Sequence, residues 1–226
     1  MVTIVISSYD NGPFFKDLFD SIGSQTYRQF SVLIGTDGSL SDRTWLREHA
    51  GEYTVVNYID NKGPYITFNT LVQQVTTPYI LFFGADDVMC SDLLSRVMNA
   101  GYYDVIRFGF TEFGTKPRSG VFYPAHGSFL IKTEVFRSLN GFYDWRCSAD
   151  SEFMHRLKSK GFTELVIKEG LFLYRRHEKS LTIAEKTSLT SGFRKQYNHI
   201  INDCQRRRTW NNPKSYITRT DILTDV

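Results

Sequence analysis

The stretch Tyr79–Asp87, YILFFGADD, decides how the rest of the chain is read. Its apolar run is far shorter than the roughly 20 residues needed to cross a bilayer, and it reads as a buried strand. The strand runs directly into Gly84-Ala85-Asp86-Asp87. Two adjacent carboxylates cannot both sit unpaired in a dry core, because burying an ion is expensive. Either they form a turn before the helix that starts near Ser91 or Asp92, or they hold a hard cation, Mg2+ or Mn2+, against a phosphate-bearing ligand.

Outward from this stretch, short apolar runs alternate with amphipathic segments. Val2–Ser7, Phe30–Gly35, Thr54–Ile59 and Val105–Phe110 read as strands. Between them, helical spacing recurs from Pro13 to Ile22, from a cap at Ser41-Asp42 through Ala50, over residues 64–75, and around Leu93–Met98. Strands separated by helices of this length imply right-handed crossovers, a mostly parallel sheet and a ligand at the strands' carboxyl ends. Two further polar clusters end strands there: Ser7-Ser8-Tyr9-Asp10 and Asp37-Gly38-Ser39. The expectation is that Tyr9, Asp37, Asp86 and Asp87 share one crevice.

The second half is less regular. Gly109–Pro124 reads as a hairpin or meander, Gly127–Lys132 as a strand, Asp150–Lys160 as a helix, and Leu165–Ile167 and Leu171–Arg175 as short strands. From Gly192 a single amphipathic helix places Phe193, Tyr197, Ile200, Ile201 and Cys204 on one face. Residues 192–220 carry Arg194, Lys195, Arg206, Arg207, Arg208, Lys214 and Arg219 against one acid, Asp203.

Composition narrows the class. A chain of 226 residues is one large domain or a domain with an appendage, and 41% hydrophobic residues suffice for a core. A net charge of +3 does not describe a general nucleic-acid binder, and the Arg206–Arg208 run lacks an interleaved aromatic platform. Cys90, Cys147 and Cys204 are isolated, which supports neither a zinc site nor a disulfide framework and fits a reducing compartment. The start, MVTIVISSYDNG, has no basic n-region of a signal peptide. The expected location is therefore cytoplasmic, with peripheral membrane contact through the basic C-terminal segment as one reading of that segment. No G-x-G-x-x-G or Walker lysine motif occurs, against dinucleotide enzymes and P-loop ATPases.

Five blocks, in order, carry a resemblance: TIVISSYDN, LFDSIGSQTYRQFSVLIGTDGSLSDRT, NKGPYITFNTLVQQVTTPYILFFGADD, HGSFLIKTEVFRSLNGFYDWRCSADSEFMHRLKSKGF and YRRHEKSLT. Over about residues 1–182 the chain resembles a family 2 glycosyltransferase of the GT-A fold. The resemblance implies an α/β, Rossmann-like nucleotide-binding sheet flanked by helices, with a smaller mixed acceptor-side region. It divides the chain into a catalytic domain, 1–182 (nucleotide-sugar half 1–108, acceptor half 109–182), and a basic helical extension, 183–226. It also implies inverting, metal-dependent transfer from a nucleotide-diphospho-sugar, UDP-linked by preference, to a glycan, lipid-linked or protein acceptor.

Carried over by position, Tyr9 packs on the base, with Ser7 and Ser8 in the same pocket, and Asp37 reads the base. Asp86 and Asp87 meet the ribose and the metal-bound diphosphate, Asp87 as the more direct ligand. Asp150 is the acceptor-activating base, and His177 a ligand of the metal or diphosphate. Trp145 offers a sugar platform on the acceptor side, as an alternative to a core or lid tryptophan. Glu152 is the local competitor for the base, two residues along the same helix and so pointing elsewhere. The chain departs from the pattern at Thr36, Gly84, Phe68 and Ala149, where many members carry Asp, a leading carboxylate, Arg and Glu respectively. Two rivals stand beside this reading: a nucleotidyltransferase on a related fold, and a nucleotide-sugar-binding module without turnover.

Overall fold

The computed structural model describes residues 1–207. Seven of its nine strands confirm segments legible in the sequence: β1 (Val2–Ser8), β2 (Phe30–Thr36), β3 (Thr54–Val56), β4 (Tyr79–Gly84), β6 (Val105–Gly114), β8 (Phe129–Lys132) and β9 (Glu164–Arg176). The other two, β5 (Val88–Met89) and β7 (Val121–Phe122), are two-residue strands. The helices are α1 (Phe15–Gly23), α2 (Leu40–His49), α3 (Pro64–Val72), α4 (Leu93–Met98), α5 (Thr133–Ser138), α6 (Ala149–Ser159) and α7 (Gly192–Arg207).

All nine strands join one sheet of order β3-β2-β1-β4-β8-β6-β9-β5, with β7 hydrogen-bonded to β6. The first four strands are parallel, as expected. The expectation of a mostly parallel sheet fails beyond β4. There β8 pairs antiparallel to β4, and β6 lies on the far side of β8, making the sheet mixed. The hairpin reading of 109–124 holds as β6 with β7. The two short strands at the end are one strand, β9, whose register against β6 shifts at Phe108–Phe110. Helix α5 went unread because its six residues, TEVFRS, are too few to establish a helical period.

Alternation along the parallel strands sends side chains to two cores. Val5, Leu33, Ile80 and Phe82 face α3, α5, α6 and α7, in a cluster that includes Phe136, Phe142 and Phe153. Ile4, Ile6, Leu81 and Phe83 face α1, α2 and α4. The amphipathic face expected on the last helix is real: Tyr197, Ile201 and Cys204 are buried, and Phe193 and Ile200 pack against the same core. Arg208, Lys214 and Arg219 of the basic segment lie outside the described residues. Among the described residues, no helix is long and apolar enough to cross a membrane.

Helix α2 starts one turn earlier than its sequence cap suggested. Ser39, not Ser41 or Asp42, is the N-cap, and its hydroxyl accepts from the Asp42 backbone N–H at 3.2 Å. That frees the Asp42 carboxylate for a different task.

Candidate active site

The register sets the site. Ser7 lies opposite both Gly35 and Gly84, so β1, β2 and β4 end level with one another. The loops that follow therefore emerge on one rim, as parallel strands require. A cavity of about 600 Å3 opens there, within the roughly 300–1,000 Å3 of small-molecule sites. Its wall includes Ser7, Tyr9, Asp37, Asp86, Asp87, Asp150 and His177, brought together from across 170 residues of chain.

One end is built by two buried aspartates that hold loops. Asp42, fully buried, accepts from the Ser8 hydroxyl at 2.5 Å, from Asn11 N–H at 3.2 Å and from Gly12 N–H at 2.9 Å. These bonds pin the loop after β1 and leave Tyr9 half exposed on the cavity wall. They also overturn the expectation for Ser8, which is buried against Asp42 and absent from that wall. Asp37 accepts Lys62 N–H at 2.8 Å and Gly63 N–H at 2.9 Å, one on each oxygen. A glycine must follow it: at Gly38 φ is +82°, and a Cβ would stand 2.5 Å from the Asn61 backbone nitrogen.

At the end of β4, the Asp86 carboxylate meets His177 Nε2 at 2.9 Å. Asp87 is buried and accepts the Arg175 backbone N–H at 2.9 Å. Burial, then the charge of Asp86, pushes the Asp87 carboxyl well above its ordinary range, with Arg175 acting in the opposite sense. Arg175 also reaches the Asp86 carbonyl (2.7 Å) and the Asp17 carboxylate (2.7 Å). Its guanidinium lies over the rings of Phe14 and Phe113. Sequence reasoning passed over this arginine because its partners lie 88 and 158 residues away. The glycine at 84 has a steric cause, since a Cβ there would come within 2.6 Å of Asp87 Oδ2.

Among the described residues, no group of three or more His, Cys, Asp or Glu side chains forms a metal cage. The Asp86 carboxylate and the His177 imidazole, hydrogen-bonded to each other at 2.9 Å, are by their donor chemistry the groups that would hold a divalent ion. Such ions are commonly held by one or two protein groups with substrate phosphates supplying the rest.

The remaining wall belongs to α6. Asp150, in its first turn, accepts the Ser151 N–H at 2.8 Å through Oδ1, while Oδ2 faces the bare Cα of Gly127. Tyr65, at the start of α3, lines the cavity beside it. Burial, then the charge and hydrogen bond of Asp150, raises the Tyr65 phenol well above its ordinary range. Glu152 is committed elsewhere, fully buried and paired with Arg156 at 2.8 Å. Trp145 is no sugar platform: it is 3% exposed, lies off the cavity wall and packs its ring against Tyr197 at 4.8 Å. The aromatic residues around it bury it in the core, the alternative that the sequence left open.

The other departures also have local causes. Phe68 packs edge-on against Phe82 in the core, Ala149 is fully buried, and the Thr36 hydroxyl donates to Asn57 Oδ1 at 3.1 Å.

Comparison with known proteins agrees with this fold. Residues 3–106 match the model of the family described as Glycosyl transferase family 2. The chain is 24% identical, over 87% of its length and 67% of the relative's, to the uncharacterized glycosyltransferase EpsJ of Bacillus subtilis. A segment of 95 residues is 30% identical to a teichoic acid poly(glycerol phosphate) polymerase of Staphylococcus epidermidis, covering 40% of this chain and 13% of that protein. Among solved structures, S. aureus TarS 1-349 in complex with UDP-GlcNAc superposes with a TM-score of 0.66 at 14% identity, covering 79% of this chain and 59% of that one. The mannosyltransferase PcManGT of Pyrobaculum calidifontis, in complex with GDP-Man and Mn2+, gives 0.70 at 14% identity, covering 98% of this chain and 67% of that one.

Proposed function

We propose that this chain, whose residues 3–106 match the model of Glycosyl transferase family 2, moves a sugar from a nucleotide-diphospho-sugar, UDP-linked by preference, onto an acceptor hydroxyl with inversion. The observation that carries this reading is the convergence of Tyr9, Asp37, Asp86, His177 and Asp150 on one cavity. The donors in the solved neighbours, UDP-GlcNAc and GDP-Man, support a nucleotide-sugar; the preference for uracil rests on the resemblance at Asp37.

Tyr9 offers its exposed ring to the base. Asp37 keeps a lone pair on each oxygen after receiving Lys62 and Gly63, and these accept from the base edge. Asp86 and His177 would hold the divalent ion, together with Asp87, the more direct ligand by resemblance, which is buried and accepts the Arg175 N–H. When bound, the ion offsets negative charge developing on the leaving diphosphate. Asp150 takes the proton of the acceptor hydroxyl as that oxygen attacks, because the hydroxyl is too weak an acid to react unaided. Arg175 and Tyr65 keep the carboxylates at either end in position, so the protein contributes chiefly orientation.

Thermal unfolding with UDP, with and without Mn2+, tests the donor site. UDP at a hundred times its Kd should add about 2.7 kcal/mol of stability, and more of it should appear with Mn2+. A panel of nucleotide sugars then tests turnover through UDP or GDP release. No stabilisation by any nucleotide would overturn the reading, and binding without hydrolysis or transfer would leave a binding module.

A further inference from the structure

Two guanidinium groups near Asp150 are not used by the mechanism above. Arg146 donates from Nη1 to Asn61 Oδ1 at 2.6 Å. Arg194, on α7, donates to the Thr187 carbonyl (2.8 Å), the Leu181 carbonyl (3.1 Å) and the Ser148 hydroxyl (3.3 Å). Every one of these acceptors is neutral, and among the described residues neither guanidinium has an ion pair with a carboxylate. Both groups line the cavity, and both bear on Cys147, three residues ahead of Asp150.

The other arginines of the wall are placed differently. Arg118 and Arg176 share the buried carboxylate of Glu112. Arg176 and Lys179 flank His177, so cations already stand where the donor diphosphate would lie. At the α6 end, Arg146 and Arg194 share the cavity wall with Asp150. A partly desolvated guanidinium fork held by neutral oxygens is suited to a planar or tetrahedral oxyanion, which it can meet with paired, charge-assisted hydrogen bonds.

We propose that Arg146 and Arg194 form an anion subsite on the acceptor side, so that the acceptor carries a phosphate or carboxylate beside its attacking hydroxyl. The inference rests on the glycosyl-transfer reading. It also gives the segment between β9 and α7 a purpose: by holding Leu181 and Thr187, Arg194 closes that segment over the acceptor end while leaving further N–H groups for the ligand.

Calorimetric titration of the full chain tests it, with the protein alone and saturated with UDP and Mn2+. Glycerol 3-phosphate serves as the anionic probe, and glycerol as the neutral one with the same hydroxyl chemistry. Glycerol 3-phosphate should bind the saturated protein at least about tenfold more tightly than glycerol, and its affinity should fall with added salt. Arg194→Gln and Arg146→Gln should each remove most of that difference while UDP affinity stays unchanged. Arg194→Lys, which keeps the charge and loses the fork, should retain part of it. Equal binding of the two probes, or loss of UDP affinity in step with glycerol 3-phosphate in the variants, overturns the subsite. Displacement of glycerol 3-phosphate by UDP overturns it too, since the anion would then occupy the donor's place. If UDP binds and the anionic probe does not, this inference alone fails; if neither UDP nor GDP binds, the transfer reading falls with it.

Discussion

Asp150 and Gly84 show how single residues set the chemistry. Asp150 has one oxygen tied to its own helix and the other directed toward the open side of Gly127. Asp150→Asn keeps the shape and removes the proposed proton acceptor. Transfer should fall about a hundredfold to ten-thousandfold, with UDP affinity within twofold of the parent; an equal loss of UDP binding would reject the base assignment. At Gly84 the constraint is space. Gly84→Ala brings a Cβ to 2.6 Å from Asp87 Oδ2, and overpacking of this kind costs about 1–3 kcal/mol. The variant should unfold earlier and lose Mn2+-dependent UDP binding, measured by thermal shift with and without the ion. Full Mn2+ dependence in this variant would show that the doublet tolerates displacement.

Among the elements, the loop after β1 depends on a residue outside it. Asp42, in the first turn of α2, holds Ser8, Asn11 and Gly12. Removing its carboxylate orphans donors worth about 1–3 kcal/mol each when buried. Asp42→Ala should therefore lower the unfolding midpoint in denaturant and weaken UDP binding, because Tyr9 sits in the loop that loses its anchor. Lowered stability with unchanged UDP affinity would separate the anchor from the base pocket. The role of Asp42 could not be read from its segment, where an acid near a helix start signals a cap; only the packing of α2 beneath the β1 loop redirects it. The joining of two expected strands into β9 has a similar origin, since β6 continues to pair on both sides of the irregularity at Gly109.

Across the whole molecule, buried ion pairs concentrate in the β6–β9 half. Glu112 is held by Arg118 and Arg176, and Glu164 by Lys158 and Arg107. Burial works against ionisation of both carboxyls, but their arginine and lysine bonds outweigh it, so both titrate below the ordinary 4.5. Each contributes stability that is present above pH 4.5 and is lost as pH falls through the lowered folded value. Comparing the unfolding midpoint of the parent with that of a Glu112→Gln/Glu164→Gln variant isolates this effect. The gap between them should be constant from neutral pH to about 4.5 and close below it. A gap that began closing above pH 6 would assign the acid sensitivity to other groups.

Local pattern alone determined the parallel core strands, the intervening helices and the polar strand ends, because period-2 and helical spacing record which face each segment buries. Those strand ends also singled out Tyr9, Asp37, Asp86 and Asp87, and the ordered blocks added Asp150, His177 and an expected role for each. Tertiary structure decided what pattern cannot hold: the antiparallel insertion of β8 beside β4, the burial of Ser8 and Trp145, and the roles of Asp42, Arg175, Tyr65 and Arg194. Each of those residues acts through a partner distant in sequence, and a side chain's partner is chosen by packing between elements rather than by its neighbours along the chain.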